Sequence, residues 1–365
     1  MKKICIINHG LASGGTDAFV INILKNIDRA KFTVDLFLAV NPDSNSQFRE
    51  EEAKQYLNEL SGNIYKIGDL GTASEKINYV KNLYRAFKKN GPYDVVHSNM
   101  DLFNGVNLTI AKFAGIKSRI SHSHTSKSQY EERTNKHLLT KIYRSIMQLF
   151  IINFSTVKLG CSENSSKYLY GKQYSDSHII YNGISLEKFT QDSIPDSITK
   201  IITVGNLINV KNPFFIIDII EQLVSIRTDF RFLWIGVGEL EEEIIKRVRQ
   251  KNLDNYINML GKRNDVDKLL GNSSIFLMPS FFEGLSIALV EAQASNLTCI
   301  VSDRITKEAD CGMCEFLPLE KGAEYWAQVI DDYLSGRKCK KLDRELLSRF
   351  DEKKTIKELE DIYMS

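Results

Sequence analysis

No stretch of this 365-residue chain approaches the roughly 18 consecutive apolar residues that spanning a bilayer requires. The opening Met1-Lys2-Lys3-Ile4-Cys5-Ile6-Ile7-Asn8-His9-Gly10 carries two lysines, but its apolar run is too short for a secretory signal. The expected compartment is the cytoplasm. Excess charge is missing too: 48 basic against 46 acidic residues leave a net +2, which gives no basis for a nucleic-acid partner. Cysteine is sparse. Cys5, Cys161 and Cys299 fall in apolar, strand-like runs, and Cys311-Gly312-Met313-Cys314 lacks the second pair or nearby His of a zinc site and the strand–helix setting of a redox motif. Neither a repeat of about 20–50 residues nor a low-complexity tract is present. Gly10-Leu11-Ala12-Ser13-Gly14-Gly15 has neither the glycine spacing of a dinucleotide loop nor the lysine of a Walker loop. That counts against a Rossmann-type oxidoreductase.

What remains is a globular composition, 43% apolar and 26% charged, on a chain too long for one typical core. Short β-branched runs alternate with amphipathic stretches, the pattern of βαβ units around parallel sheets. The first half predicts strands at 3–8, 33–40, 63–68, 94–98, 118–123, 156–161 and 178–181. The helical pattern Ile77-Val80-Leu83-Tyr84-Phe87 lies among them, its spacing of three and four expected to bury one face. The pattern restarts at Lys200–Gly205 and continues at 231–235, 256–260, 274–278, 297–301 and 314–317. Thr190–Thr199 is polar with one Pro and reads as a linker. The run 239–251 reads as a solvated helix face.

The stretch Pro279-Ser280-Phe281-Phe282-Glu283-Gly284-Leu285-Ser286-Ile287-Ala288-Leu289-Val290-Glu291-Ala292-Gln293-Ala294 carries the most chemistry. An apolar strand at 274–278 runs into it, Gly284 lets the backbone turn, and Ser286 is placed to cap a helix. The amides of Leu285 and Ser286 at a helix start suit an anion such as a diphosphate. Glu283 stays in the loop, while Glu291 is expected about two turns in and roughly 80° around. One phosphate cradle with two acceptors for hydroxyl groups suits a nucleotide-sugar. Val204–Asn212 adds a strand, a loop and Lys211 at a helix opening, able to aim a cation at a phosphate.

The Glu-x7-Glu spacing after Pro-Ser, followed by Ala-Gln-Ala and the strand Leu297–Asp303, resembles the retaining glycosyltransferases of family four, and within them the bacterial capsule and exopolysaccharide enzymes. The resemblance is strongest over 200–305. It implies a GT-B fold, α/β with two Rossmann-like doubly wound domains facing a cleft: an acceptor domain 1–185, a linker 186–199, a nucleotide-sugar domain 200–345, and a helix 346–365 crossing back. It implies that Glu283 sits by the donor sugar, Glu291 holds the ribose hydroxyls, and Lys211 meets the diphosphate beside Gly284, Leu285 and Ser286. Gly14 and Gly15 match the glycine loop near the donor diphosphate and acceptor, and the Thr16-Asp17 that follows could bind acceptor hydroxyls or only cap the helix. Arg263 falls in the loop that lines the base, and His124 matches the family histidine near the reacting carbon and acceptor. Asn206 stands where the family commonly has Arg, and Val237 where an acidic residue is usual, so both depart from the pattern.

Several residues keep a second reading. His122 and His124 share a strand face without an evident third metal ligand. His97 is expected to be structural, and Tyr181-Asn182-Gly183-Ile184 resembles a family turn. Asp265-Val266-Asp267 spells a metal-binding Asp-x-Asp but is expected to cap a helix, so no metal and no cofactor are expected. Residues 136–158 mix Lys141 and Arg144 with apolar residues: core packing is preferred, an anionic membrane face being the other reading. The expected activity is retaining transfer of a sugar from a nucleotide diphosphate, UDP by preference. The acceptor is a saccharide, on polyprenyl diphosphate if the capsule enzymes are the guide, at the inner leaflet, in capsule, exopolysaccharide or O-antigen synthesis. A nucleotide-sugar epimerase of the same fold is the alternative.

Overall fold

A computed structural model describes residues 1–12, 14–44, 49–125, 138–189 and 198–365. Part of the loop read at Gly10–Gly15, the start of the stretch 136–158 and most of the expected linker therefore lie outside the described residues. The chain divides into two compact units, Met1–Gly183 with Glu352–Ser365, and Ile184–Asp351.

The first unit holds β1 (Lys2–Asn8), α1 (Gly15–Asn26), β2 (Phe32–Leu38), α2 (Glu50–Glu59), β3 (Ile64–Lys66), α3 (Ala73–Asn90), β4 (Val95–Ser98), α4 (Asn104–Ala114), β5 (Ser118–Ser123), α5 (Leu138–Phe154), β6 (Val157–Gly160), α6 (Glu163–Tyr170) and β7 (His178–Ile179). Its sheet runs β3-β2-β1-β4-β5-β6-β7, all parallel. Alternate residues of β1 enter opposite cores. Ile4 and Ile6 pack with Phe19, Val20 and Leu24 of α1, and Cys5 and Ile7 pack with Tyr79, Leu83 and Phe87 of α3. A parallel strand covered on both faces must be apolar on both. In α3 the buried face is Tyr79-Leu83-Phe87, while Ile77, Val80 and Tyr84 are exposed, so the expected stripe is rotated. Tyr79 displaces Ile77 because its hydroxyl finds a buried partner, donating to Asn107 Oδ1 at 3.2 Å.

The second unit holds α7 (Leu186–Phe189), β8 (Thr199–Val204), α8 (Pro213–Ile226), β9 (Phe230–Ile235), α9 (Glu241–Gln250), β10 (Ile257–Gly261), α10 (Val266–Gly271), β11 (Ile275–Met278), α11 (Ile287–Ala294), β12 (Thr298–Ser302), β13 (Cys314–Leu317), α12 (Gly322–Leu334) and α13 (Arg344–Ser348). Its parallel sheet runs β10-β9-β8-β11-β12-β13 around a core built on Phe230, Phe232, Trp234 and Trp326. The expected linker 186–199 therefore contributes α7 to this unit, packed on α10 and α11.

The expected terminal helix is two helices. A break at 349–351 separates α13 from α14 (Glu352–Met364), because the Phe350 carbonyl accepts the Ile184 amide at 2.7 Å and Asp351 bridges Ile184. Only α14 belongs to the first unit, where Ile356, Leu359 and Tyr363 complete the core. Both sheets change direction of winding once, between β1 and β4 and between β8 and β11. Ligands of open parallel sheets bind beyond the carboxyl ends of the strands at such a point.

Candidate active site

At the β8/β11 switch point two loops meet. After β8, Gly205–Ile208 leads to the single 3₁₀ turn Asn209–Lys211 and then to Asn212, a left-handed residue (φ 55°) that opens α8 ahead of Pro213. After β11, Pro279–Ser286 leads into α11, which Ser286 caps by accepting the Leu289 amide at 3.4 Å. The loops are stitched by the Phe281 amide on the Val210 carbonyl (2.9 Å) and Asn212 Nδ2 on the Pro279 carbonyl (3.2 Å). The result is an ion pair: Lys211 Nζ lies 2.6 Å from Glu283 Oε1, which also accepts from Ser280 Oγ at 2.7 Å. The Glu283 side chain is 10% exposed and that of Lys211 26%, so the pair is half-sheltered but open to a ligand.

Glycines set the shape here. A Cβ on Gly236 would lie 1.9 Å from the Gly205 carbonyl oxygen, and one on Gly238 would lie 2.5 Å from that of Leu207. The β9–α9 loop can therefore lie against the β8 loop only with glycine at both places. These two residues escaped the sequence reading, which weighed only Val237 between them. Asn206 is exposed, and so is Arg263. Arg263 is held by Asp265, its Nε and Nη2 donating at 2.8 and 2.6 Å. Asp265 thus spends its carboxylate on Arg263 and makes no side-chain cap on α10, contrary to the expected capping role. Among the described residues no group of three His, Cys, Asp or Glu could hold a metal ion.

Glu291 lies five residues into α11, because the helix opens at Ile287; it is nearer one and a half turns than two. Its carboxyl group is pushed up to about 7, chiefly by burial and further by the charge of Asp267, with Lys188 of α7 opposing. A carboxyl so placed gains from hydroxyl donors that favour its ionised form.

In the first unit the β1/β4 switch point gathers polar side chains. The Asp17 carboxylate is fully engaged: Oδ1 accepts from Asn8 Nδ2 (2.9 Å), and Oδ2 accepts from the amides of Ala12 (3.1 Å) and Gly14 (3.2 Å). It organises the glycine loop and opens α1, the capping alternative of the two expected. Gly15 sits against Asn182, 3.8 Å from where its Cβ would be, and Thr16 follows on the first turn of α1. Beyond β5, His124 Nε2 donates to Asn99 Oδ1 at 2.8 Å. Its pKa is pushed down to about 4 by burial, against the opposing pull of Asp101 and the Asn182 side chain, so the ring is neutral at physiological pH. His124 Nδ1, Asn99 Nδ2 and Asn182 Oδ1 are buried without a partner in the structure, a cost of about 1–3 kcal/mol each unless a ligand meets them. Neither was singled out as a site residue: no motif marks Asn99, and Asn182 was read only as part of the turn 181–184.

His122 is fully buried. Its Nδ1 meets His97 Nε2 at 3.1 Å, and His97 Nδ1 meets the Tyr363 hydroxyl at 2.6 Å. Burial holds both rings neutral, His97 at about 3. Phe19 stands edge-on to His122, with ring centroids 4.9 Å apart, and tilted to His124 at 5.1 Å. A hollow of about 750 Å³ in the same unit lies elsewhere, between α2, β3 and α3, and shares none of these residues.

Two parallel-sheet units with loops of this kind define the GT-B class of glycosyltransferases, and comparison with known proteins agrees. A family model described as Glycosyltransferase Family 4 matches residues 13–188, and one described as Glycosyl transferases group 1 matches 198–335. The chain belongs to this glycosyltransferase family. The capsular polysaccharide biosynthesis glycosyltransferase CapH of Staphylococcus aureus is 30% identical, covering 76% of this chain and 78% of its own. The EpsF protein of Bacillus subtilis is 28% identical over 99% of this chain and 96% of its own. UDP-Gal:alpha-D-GlcNAc-diphosphoundecaprenol alpha-1,3-galactosyltransferase of Escherichia coli is 26% identical over 77% and 78%. Among solved structures, Anabaena HepE in complex with UDP and glucose superposes with a TM-score of 0.77 over 99% of both chains at 15% identity, a likeness of fold.

Proposed function

We propose that this protein transfers a sugar from UDP, with retention of configuration, to a saccharide carried on a polyprenyl diphosphate. The setting is capsule, exopolysaccharide or O-antigen assembly at a membrane surface. The observation that carries the reading is the Lys211–Glu283 pair at the β8/β11 switch point, beside the turn that opens α11. The names of relatives support the donor and the carrier: the E. coli relative acts with UDP-Gal on a diphosphoundecaprenol-linked sugar, and a Campylobacter jejuni relative, 24% identical over 83% of this chain, is also named for a diphospho-undecaprenol substrate.

In this reading the departing diphosphate is stabilised by the Lys211 ammonium and by the amides of Gly284, Leu285 and Ser286, charge stabilisation aimed where charge develops. Glu283 accepts from hydroxyls of the donor sugar, and Glu291 accepts from those of the ribose. Asn206 and Arg263 lie on the donor loops as uncharged and charged neighbours. In the first unit Gly14 and Gly15 let substrate approach backbone amides, and Thr16 and the Asp17-held loop shape the acceptor side. Neutral His124, with Asn99 and Asn182, offers one donor and two acceptors to a hydroxyl group. The bond from the anomeric carbon to the phosphate oxygen breaks while the acceptor oxygen attacks the same face. The acceptor proton passes to the leaving phosphate oxygen, so no carboxylate nucleophile and no metal ion are required.

The test is incubation with a panel of UDP-sugars and synthetic lipid-diphosphate saccharides, with chelator present, followed by NMR of the product. An α-glycoside formed from an α-linked donor is the expected result. An inverted product, a dependence on added metal, or epimerised UDP-sugar formed without acceptor would overturn the reading.

A further inference from the structure

The hollow between α2, β3 and α3 takes no part in the chemistry above. β3 is the edge strand of its sheet, and among the described residues no strand pairs with its outer side. Its inner side bonds β2: the Leu36 amide donates to the Asn63 carbonyl and the Ile67 amide to the Leu38 carbonyl, each at 2.8 Å. Bonding to one neighbour alternates along a parallel strand, so the N–H and C=O groups of Ile64 and Lys66 point the other way, to the open edge. The hollow lies along that edge. It is about 750 Å³ in volume and is lined by the consecutive residues 62–67. Such a length offers room for about six residues of added strand, at about 3.3 Å each.

The lining is strongly basic. Among the described residues it sets Lys54, Lys66, Arg85 and Lys89 against one carboxylate, that of Glu50. Glu50 is buried and bridges two of the four, lying 3.4 Å from Lys54 Nζ and 3.3 Å from Lys66 Nζ. Arg85 and Lys89, one turn apart on α3, are exposed and meet no carboxylate among the described residues. Side chains of β3 alternate between the two walls: Ile64 joins the core that contains Leu57 of α2, and Tyr65 joins the core that contains Leu83 of α3. A strand added beside β3 would alternate in the same way, with one set of side chains near Lys54 and Lys66 and the other near Arg85 and Lys89. Carboxylates suit both sets. A second copy of this chain docking here by two-fold symmetry would bring cations against cations. An acidic saccharide could meet the cations, but it has no row of amides and carbonyls at strand spacing to match Ile64 and Lys66.

We infer that the β3 edge is a docking site for an extended acidic segment of a partner protein. The segment adds a strand to the sheet at Ile64 and Lys66, where main-chain bonds supply affinity, and its carboxylates meet the cations of both walls, which supplies specificity. The assignment is independent of the sugar-transfer reading, since it uses none of the residues given roles there.

Fluorescence anisotropy of labelled peptides titrated with the full-length protein tests it. A peptide alternating Glu with Thr should bind and should be released by high salt, while one alternating Lys with Thr should not bind. N-methylation at alternate residues keeps the charge of the Glu–Thr peptide but removes its strand donors, and should weaken binding about tenfold or more. The double variant Arg85→Glu/Lys89→Glu should weaken it about tenfold. Its circular dichroism and its UDP release with a sugar acceptor should stay as in the parent. The inference is overturned if the protein ignores the Glu–Thr peptide, if the N-methylated form binds as well, or if the double variant binds like the parent. Displacement of the peptide by an equal concentration of oligogalacturonate would overturn it in favour of an acidic saccharide.

Discussion

Lys211 and Glu283 hold each other at 2.6 Å, which on the proposed reading fixes the direction of the cation that meets the diphosphate. Lys211→Ala should therefore lower kcat by about 10²- to 10³-fold while donor KM changes less, measured by UDP release. A parent-like kcat would remove Lys211 from the chemistry. Glu291 gives a pH signature. Its folded pKa near 7 lies above the ordinary 4.5, so between those values the folded protein binds more protons than the unfolded chain, and stability falls as pH rises through that window. Glu291→Gln should flatten this slope and stabilise the protein at pH 8 by at most about 3 kcal/mol, read from denaturant melts at pH 5 and pH 8. Hydroxyl donors favour the ionised carboxylate, so UDP should bind more tightly above pH 7 than below it, with proton release seen by calorimetry in buffers of different ionisation heat. Both acidic residues were legible because they sit in a local run of fixed spacing. Asn99, Gly236 and Gly238 were not, because what marks them is proximity to distant backbone or an unmet hydrogen bond, and neither leaves a trace in a linear pattern; the turn at Asn182 was read, but not its unmet hydrogen bond.

At the scale of elements, α14 shows how much one short helix can hold. Leu359 is wholly buried in the first unit's core, so Leu359→Ala should cost about 2–5 kcal/mol in urea unfolding followed at that unit. Tyr363→Phe removes a hydroxyl from a fully buried histidine and should cost about 1–3 kcal/mol, with the His97 ring resonances shifting in NMR spectra. A neutral outcome for both would mean that the helix only rests on the surface. Every predicted strand is found within a residue or two, since buried parallel strands write themselves as continuous β-branched runs. Helix faces were harder to read. In α3 a tyrosine with an internal hydrogen-bond partner outcompetes an isoleucine, and in α5 apolar residues occupy both faces, so periodicity alone could not separate core from surface. The break between α13 and α14 comes from a backbone bond to Ile184, a contact set by tertiary pairing, not by local sequence.

For the whole molecule, a net charge of +2 conceals an uneven distribution: described residues 102–125 and 138–162, both in the first unit, contain no Asp or Glu. The donor roles proposed for Lys211, Glu283 and Glu291 fall in the second. UDP should therefore give its strongest protection from hydrogen exchange at the loops 203–211 and 279–291; strongest protection at β1 or β5 would reverse the division of labour. The chain also leaves its first unit at Gly183 and returns to it only at Glu352. During synthesis, then, the first unit waits on a segment translated after the whole of the second. The later-made portion can finish maturing while its elder still lacks Ile356, Leu359 and Tyr363 to close its core, reversing the order in which domains ordinarily leave the ribosome finished. Chains stalled at residue 351 should accordingly yield to protease at the front half while the back half survives.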